Sequence, residues 1–156
     1  MIQWRKRIGF VSQDNYLFHD TIINNIKIAN PNVTRNIIIE CSKRARAHNF
    51  INKLPEGYDT VVGDRGITLS GGQRQRIAIA RAMVRDPEIY VFDEATSALD
   101  RETEKHLIDD IHKLFKNKTV IIISHNLLTI KGAQKILQIH NTKVNEISNK
   151  RLNMIS

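Results

Sequence analysis

The sequence predicts an α/β fold built around a parallel sheet, and three observations carry that expectation. Ile89-Tyr90-Val91-Phe92 and Thr119-Val120-Ile121-Ile122-Ile123 are short apolar, β-branched runs of the kind a parallel sheet buries. Between them, residues 101–115 place Leu107, Ile108, Ile111 and Leu114 on one helical face, so the unit reads strand, helix, strand. A further strand, Ile8-Gly9-Phe10-Val11-Ser12, is bounded by the polar Gln13-Asp14-Asn15.

The remaining elements follow from capping and breaking residues. Asp20 or Thr21 can cap a turn carrying Ile22, Ile23 and Ile26, before Asn30-Pro31-Asn32 breaks the chain. Thr34 can cap a helix running to about Asn52, with Ile37, Ile38, Cys41, Ala45 and His48 at helical spacing. Residues 54–72 hold Pro55 and five of the seven glycines, which predicts a loop. Gln73 to Val84 is helical until Asp86-Pro87 stops it. Asp100 is placed to cap the helix of residues 101–115. Two weaker strands, 135–139 and 143–147, can pair through Asn141-Thr142, a turn less suited to positive φ than Asn-Gly, so a well-formed hairpin is not expected.

With 156 residues, 41% hydrophobic and 26% charged, the chain has the size and balance of one globular domain. Its net charge of +8 admits nucleic acid, an anionic membrane face or a plain solvated surface. The basic residues are spread out, with mild concentrations at 43–46, 74–85 and 131–151, and none forms a long like-charged arm. Cys41 is the single cysteine, which excludes an intramolecular disulfide and fits a reducing cytosol. No apolar run approaches the ~20 residues of a membrane span, and no signal-peptide core follows the polar start.

The chemistry-bearing residues gather where strands end. Asp93 and Glu94 follow the strand of residues 89–92, at the carboxyl edge where open parallel sheets bind ligands. One such carboxylate can hold Mg²⁺ and its neighbour can polarise water, although a solvated acidic turn or a helix cap explains the pair as simply. Ser70-Gly71-Gly72 opens a helix whose amide N–H groups and dipole suit an anion, and the same residues suit an ordinary N-cap. His125 and Gln13 end two strands at the same edge, where a phosphate, a metal or water is in reach; a structural role is the plain alternative for each.

Taken in order, these pieces resemble the nucleotide-binding domain of ATP-binding cassette transporters. The signature is Leu69-Ser70-Gly71-Gly72-Gln73, the Walker B strand ends in Asp93-Glu94, and the D-loop is Ser97-Ala98-Leu99-Asp100. Gln13 matches the Q-loop glutamine and His125 the switch histidine. The stretches "SQDNYLFHDTIINNI" and "LPEGYDTVVGDRG", the latter like an X-loop, are similar to the exporter branch. The resemblance spans residues 8–140. It implies a P-loop NTPase-like sheet core (8–13 and 86–148) with an inserted helical subdomain (about 20–85). It implies ATP and Mg²⁺, with Asp93 and Gln13 toward the metal, and Glu94, His125 and Gln13 around the γ-phosphate and its attacking water. Ser70, Gly71, Gly72 and Gln73 would face nucleotide held by a second nucleotide-binding domain in a head-to-tail dimer. A transmembrane domain would be the other partner, placing the protein at the cytoplasmic face of the cell membrane.

One part is missing from these residues. No G-x-x-x-x-G-K-[ST] cradle occurs; the nearest spacing, Gly66 to Gln73, has Gly72 in place of the lysine. The fold is therefore expected to be incomplete at its N-terminus, with a neighbouring strand edge left unpaired. ATP hydrolysis then needs the cradle from elsewhere. A non-catalytic module lending its signature face is the first rival reading, and a soluble cassette ATPase on nucleic acid is the second, disfavoured by the exporter-like stretches. The tail also departs from the family, with Asn126 where arginine is usual and Thr142 where glycine is usual.

Overall fold

The computed structural model describes residues 4–64, 67–95, 101–115, 117–130 and 132–147. In chain order the elements are β1 (Ile8–Val11), β2 (Asp20–Thr21), α1 (Ile22–Lys27), α2 (Arg35–Arg44), α3 (His48–Ile51), β3 (Val61–Val62), α4 (Gly71–Met83), β4 (Ile89–Asp93), α5 (Arg101–Leu114), β5 (Thr119–Ile123), α6 (Leu127–Ile130), β6 (Ile136–His140) and β7 (Lys143–Ile147). β4 lies between β1 and β5 in a three-stranded sheet, parallel to both, with Val11 opposite Phe92 and Phe92 opposite Ile122. All three strands therefore end at one edge.

The alternation along this sheet decides what covers it. Gly9, Val11, Tyr90 and Phe92 share one face and are buried. There the ring of Phe115 lies 4.1 Å from that of Tyr90, and a Cβ on Gly9 would stand 2.7 Å from Cγ of Pro87. Burial also pushes the Tyr90 phenol far above its ordinary pKa. The opposite face carries Phe10, Val91, Ile121 and Ile123, of which Ile121 is 48% and Ile123 49% exposed. Apolar runs of this kind predict burial, but here one face is covered and the face of Phe10, Ile121 and Ile123 is open.

A helical layer fills the region between β1 and β4. Thr21 caps α1 by accepting from the Asn24 amide, and Thr34 caps α2 by accepting from that of Ile37. Fully buried Ile22, Ile26, Ile38, Ile77 and Ile79 knit α1, α2 and α4 into one core. The single helix expected to run from Thr34 to Asn52 is two. Arg46 adopts φ 55°, its N–H donates to the Lys43 carbonyl, and that of Ala47 donates to Ser42. This is a Schellman stop with arginine where glycine is usual, and it lets both Ala45 and Ala47 pack fully inside.

α4 also begins two residues earlier than its glycines suggested, at Gly71, because Ser70 closes a capping box with Gln73. At the other end of the chain the hairpin does form. β6 and β7 pair antiparallel around Asn141 at φ 46° and Thr142 at φ 64°, the two positive values a type I′ turn requires. The weak turn chemistry was outweighed by five paired positions on each side. This hairpin forms its own sheet, apart from β5, and Leu137, Ile139 and Val144 on it are exposed.

Candidate functional site

The left-handed backbone of Glu94 organises the carboxyl edge. Glu94 follows β4 at φ 49°, a conformation costing a non-glycine residue about 1 kcal/mol or more. Its N–H donates to the Ile123 carbonyl at 2.9 Å, continuing the link to β5 after the ladder stops. Its carbonyl is approached at 3.5 Å by Nε2 of Gln75, from the middle of α4. These contacts turn the side chain across the edge toward β5.

There it meets His125. Oε1 of Glu94 accepts from the backbone N–H of His125 at 3.1 Å and lies 2.8 Å from its Nδ1. Because a carboxylate only accepts, this contact puts a proton on Nδ1 and leaves Nε2 of a neutral ring as an acceptor. The acid is sheltered, its side chain 19% exposed, whereas the imidazole is 83% exposed. The pair thus presents an open histidine backed by a half-buried carboxylate. Asp93 is the last residue of β4, opposite Ile123. Gln13 stands two residues past the end of β1, exposed on a bend, and its carbonyl accepts weakly from Asn15 at 3.4 Å.

The signature residues sit at the start of α4. Ser70 Oγ accepts from the Gln73 amide at 3.2 Å, and Gln73 Oε1 accepts from the Ser70 amide at 2.9 Å. Gly71 and Gly72 form the first turn, where amide N–H groups have no intrahelical acceptor and the helix dipole is positive. Ser97, Ala98, Leu99 and Asp100 lie outside the described residues.

Two residues that sequence reasoning missed join these parts. Gln75 is fully buried, and its Oε1 is one of two buried side-chain polar atoms without a partner among the described residues. Arg81 donates to the Asn25 carbonyl at 2.7 Å, to Asn25 Oδ1 at 3.2 Å and to the Tyr16 carbonyl at 3.1 Å, and burial lowers its pKa. It ties α4 to the chain that leaves β1 through Gln13. The available signal was a glutamine and an arginine set among Ile77, Ala78, Ile79 and Ala80, on a helix too apolar to leave them idle. Asn126, the departure noted after His125, donates to both oxygens of Glu104 at 3.0 and 3.1 Å and so anchors the His125 loop to α5.

Among the described residues no three of His, Cys, Asp and Glu cluster as a metal site. Mg²⁺ is commonly bound by one or two carboxylates together with substrate phosphates and water, so the Asp93 carboxylate at the end of β4, with the Gln13 amide at the same edge, fits that ion. No helix among the described residues is long and apolar enough to cross a membrane.

Comparison with known proteins places these observations in a family. Residues 1–97 match the ABC transporter family. The chain is 51% identical over 142 residues to the alpha-hemolysin translocation ATP-binding protein HlyB of Escherichia coli, covering 91% of this chain and 20% of that protein. It is 50% identical over 137 residues to P-glycoprotein 14 of Caenorhabditis elegans, covering 87% of this chain and 10% of that protein. The structure of a bacterial Atm1-family ABC exporter with ATP bound superimposes with a TM-score of 0.90 at 40% identity, over 97% of this chain and 27% of that one. The chain therefore spans a fifth or less of the length of these two curated relatives.

Proposed function

Because the chain belongs to the ABC transporter family, we propose that it is the signature and Walker B portion of an exporter's ATP-hydrolysing domain, coupling hydrolysis to transmembrane transport. Residues 20–85 serve as the helical subdomain, and residues 8–13 with 86–148 as the sheet core. The phosphate cradle comes from a segment outside these 156 residues. The observation that carries the reading is the Glu94–His125 pair, 2.8 Å apart at the carboxyl edge of a parallel sheet.

In this reading Asp93, with help from Gln13, would hold Mg²⁺, which would supply charge neutralisation for the phosphates of ATP. Glu94 accepts a hydrogen bond from the attacking water and polarises it. His125 then turns from the carboxylate toward the γ-phosphate, an exchange its exposure permits. Ser70 to Gln73 and the first turn of α4 face nucleotide on a second nucleotide-binding domain, with Ser97 to Asp100 between the two subunits. A transmembrane domain docks where the segments after β1 and β3 meet, in a groove lined by Tyr16, Leu17, Gly63, Ile67 and Arg74. That places the protein at the cytoplasmic face of the cell membrane. The bare sheet face of Phe10, Ile121 and Ile123 supports a cradle-bearing segment packing there.

The test is a chimera in which this chain replaces the matching residues of the hemolysin translocation protein. The chain alone is expected to show no turnover of Mg-ATP. The chimera is expected to hydrolyse ATP and to lose about 10²-fold or more with Glu94→Gln. Turnover by the isolated chain would remove the need for an outside cradle. A folded chimera whose turnover ignores both Glu94→Gln and His125→Ala would overturn the site.

A further inference from the structure

His125 lies two residues beyond the end of β5, past the last rung of the ladder, and its side chain is 83% exposed. Its contact with Glu94 can fix the ring only if the backbone that follows is held as well. A second carboxylate does this. Glu104 stands in the first turn of α5 and is 8% exposed. Its Oε1 accepts from Asn126 Nδ2 at 3.0 Å and from Thr129 Oγ1 at 2.8 Å, and its Oε2 accepts from the same Asn126 nitrogen at 3.1 Å. Consecutive residues are thus clamped by acids from different elements, His125 by the one that follows β4 and Asn126 by the one on α5.

The loop between these clamps is closed by its own hydrogen bonds. The Asn126 N–H donates to Ser124 Oγ at 3.0 Å, and the Asn126 carbonyl accepts from the Thr129 N–H at 3.1 Å. Thr129 is 1% exposed, so the far end of the loop is buried. These local bonds shape the loop, and the Glu104 contacts tie it to α5. Burying a carboxylate carries a heavy desolvation penalty, and apolar side chains often fill such a place with no loss of stability. What the hydrogen bonds add is direction, because they hold only in one geometry.

We propose that Glu104 and Asn126 are positioning residues for His125: they fix the backbone from which its imidazole meets Glu94, and so keep its proton on Nδ1. The bearing of this on hydrolysis rests on the roles given above to Glu94 and His125, whose failure shows in the turnover of the chimera; failure of the positioning shows in the ring itself. The test is nitrogen-15 NMR of the imidazoles in the full chain, at an alkaline pH where a free ring is neutral. The His125 signals are identified by their loss in His125→Ala. The wild type is expected to show Nδ1 protonated and Nε2 bare. Asn126→Leu keeps a similar shape and removes the donor, and Glu104→Met removes the acceptor. Each is expected to shift both nitrogens toward the averaged values of a ring that shares its proton between them. The double variant is expected to add nothing, since all three lose one and the same contact. Thr129→Val removes another donor to Glu104, and is expected to lower the denaturation midpoint while leaving the His125 proton on Nδ1. Where Glu104→Met fails to fold, Asn126→Leu decides alone. Unshifted His125 nitrogens in Asn126→Leu, or an equal shift in Thr129→Val, would overturn the proposal.

Discussion

Gly63→Ala is expected to destabilise the protein by about 3 kcal/mol or more, combining backbone strain with overpacking. Gly63 follows β3 at φ 97°, which side chains rarely adopt. A Cβ there would stand 2.9 Å from the N of His19 and 3.0 Å from its Cα and from the carbonyl carbon of Phe18. All three atoms are backbone, so no rotamer change relieves the clash. Relief requires β2 and β3 to separate, breaking the pairings of Asp20 with Val62 and Thr21 with Val61. Gly57→Ala isolates the conformational part, since Gly57 has φ 54° but nothing within 4 Å of its Cβ position. That variant is expected to cost about 1 kcal/mol. Urea unfolding of both variants measures the difference; equal losses would refute the close approach.

The second large effect is expected at Arg81. Arg81→Met keeps the stem and removes a guanidinium that satisfies the Asn25 carbonyl near the end of α1. Asn25 is 1% exposed, so its freed acceptor finds little water, and the loss is expected to be roughly 2–3 kcal/mol. Arg81→Lys should recover only part, because an ammonium lacks the fork that reaches Asn25 and Tyr16 together. Denaturant midpoints of the three proteins give the ranking, Arg81 above Lys above Met. A Met variant as stable as the wild type would show that the fork is not needed.

Much of this fold was legible because its signals are local. The apolar runs of β4 and β5 and the helical stripe between them gave the strand, helix, strand order, and parallel pairing then put Gln13, Asp93 and His125 at one edge. Other features depend on groups far apart in sequence. No residue near Ile121 indicates whether anything covers it, since an isoleucine reads the same beside a helix or beside water. The stop at Arg46 has no local signal, because arginine carries none of the usual marks of a left-handed residue; the need to bury Ala45 and Ala47 imposes it. Gln75 and Arg81 acquire their meaning only from partners at Glu94, Asn25 and Tyr16. At the site, the residue types and the shared edge were readable, but the positive φ of Glu94 that aims its carboxylate was not.

The sheet covered on one side also has a consequence for how the chain breathes. Amide protons of β4 and of α4, flanked by packed neighbours, can exchange with solvent only in large openings, whereas those on the outer edge of β5 need little more than local fraying. Deuterium uptake is therefore expected to rise from β4 outward, and to be fastest in the separate hairpin of β6 and β7. A partner settling on the face of Ile121 and Ile123 would slow that exchange first. Protection at β5 is thus a reporter of assembly that needs no enzymatic turnover to read.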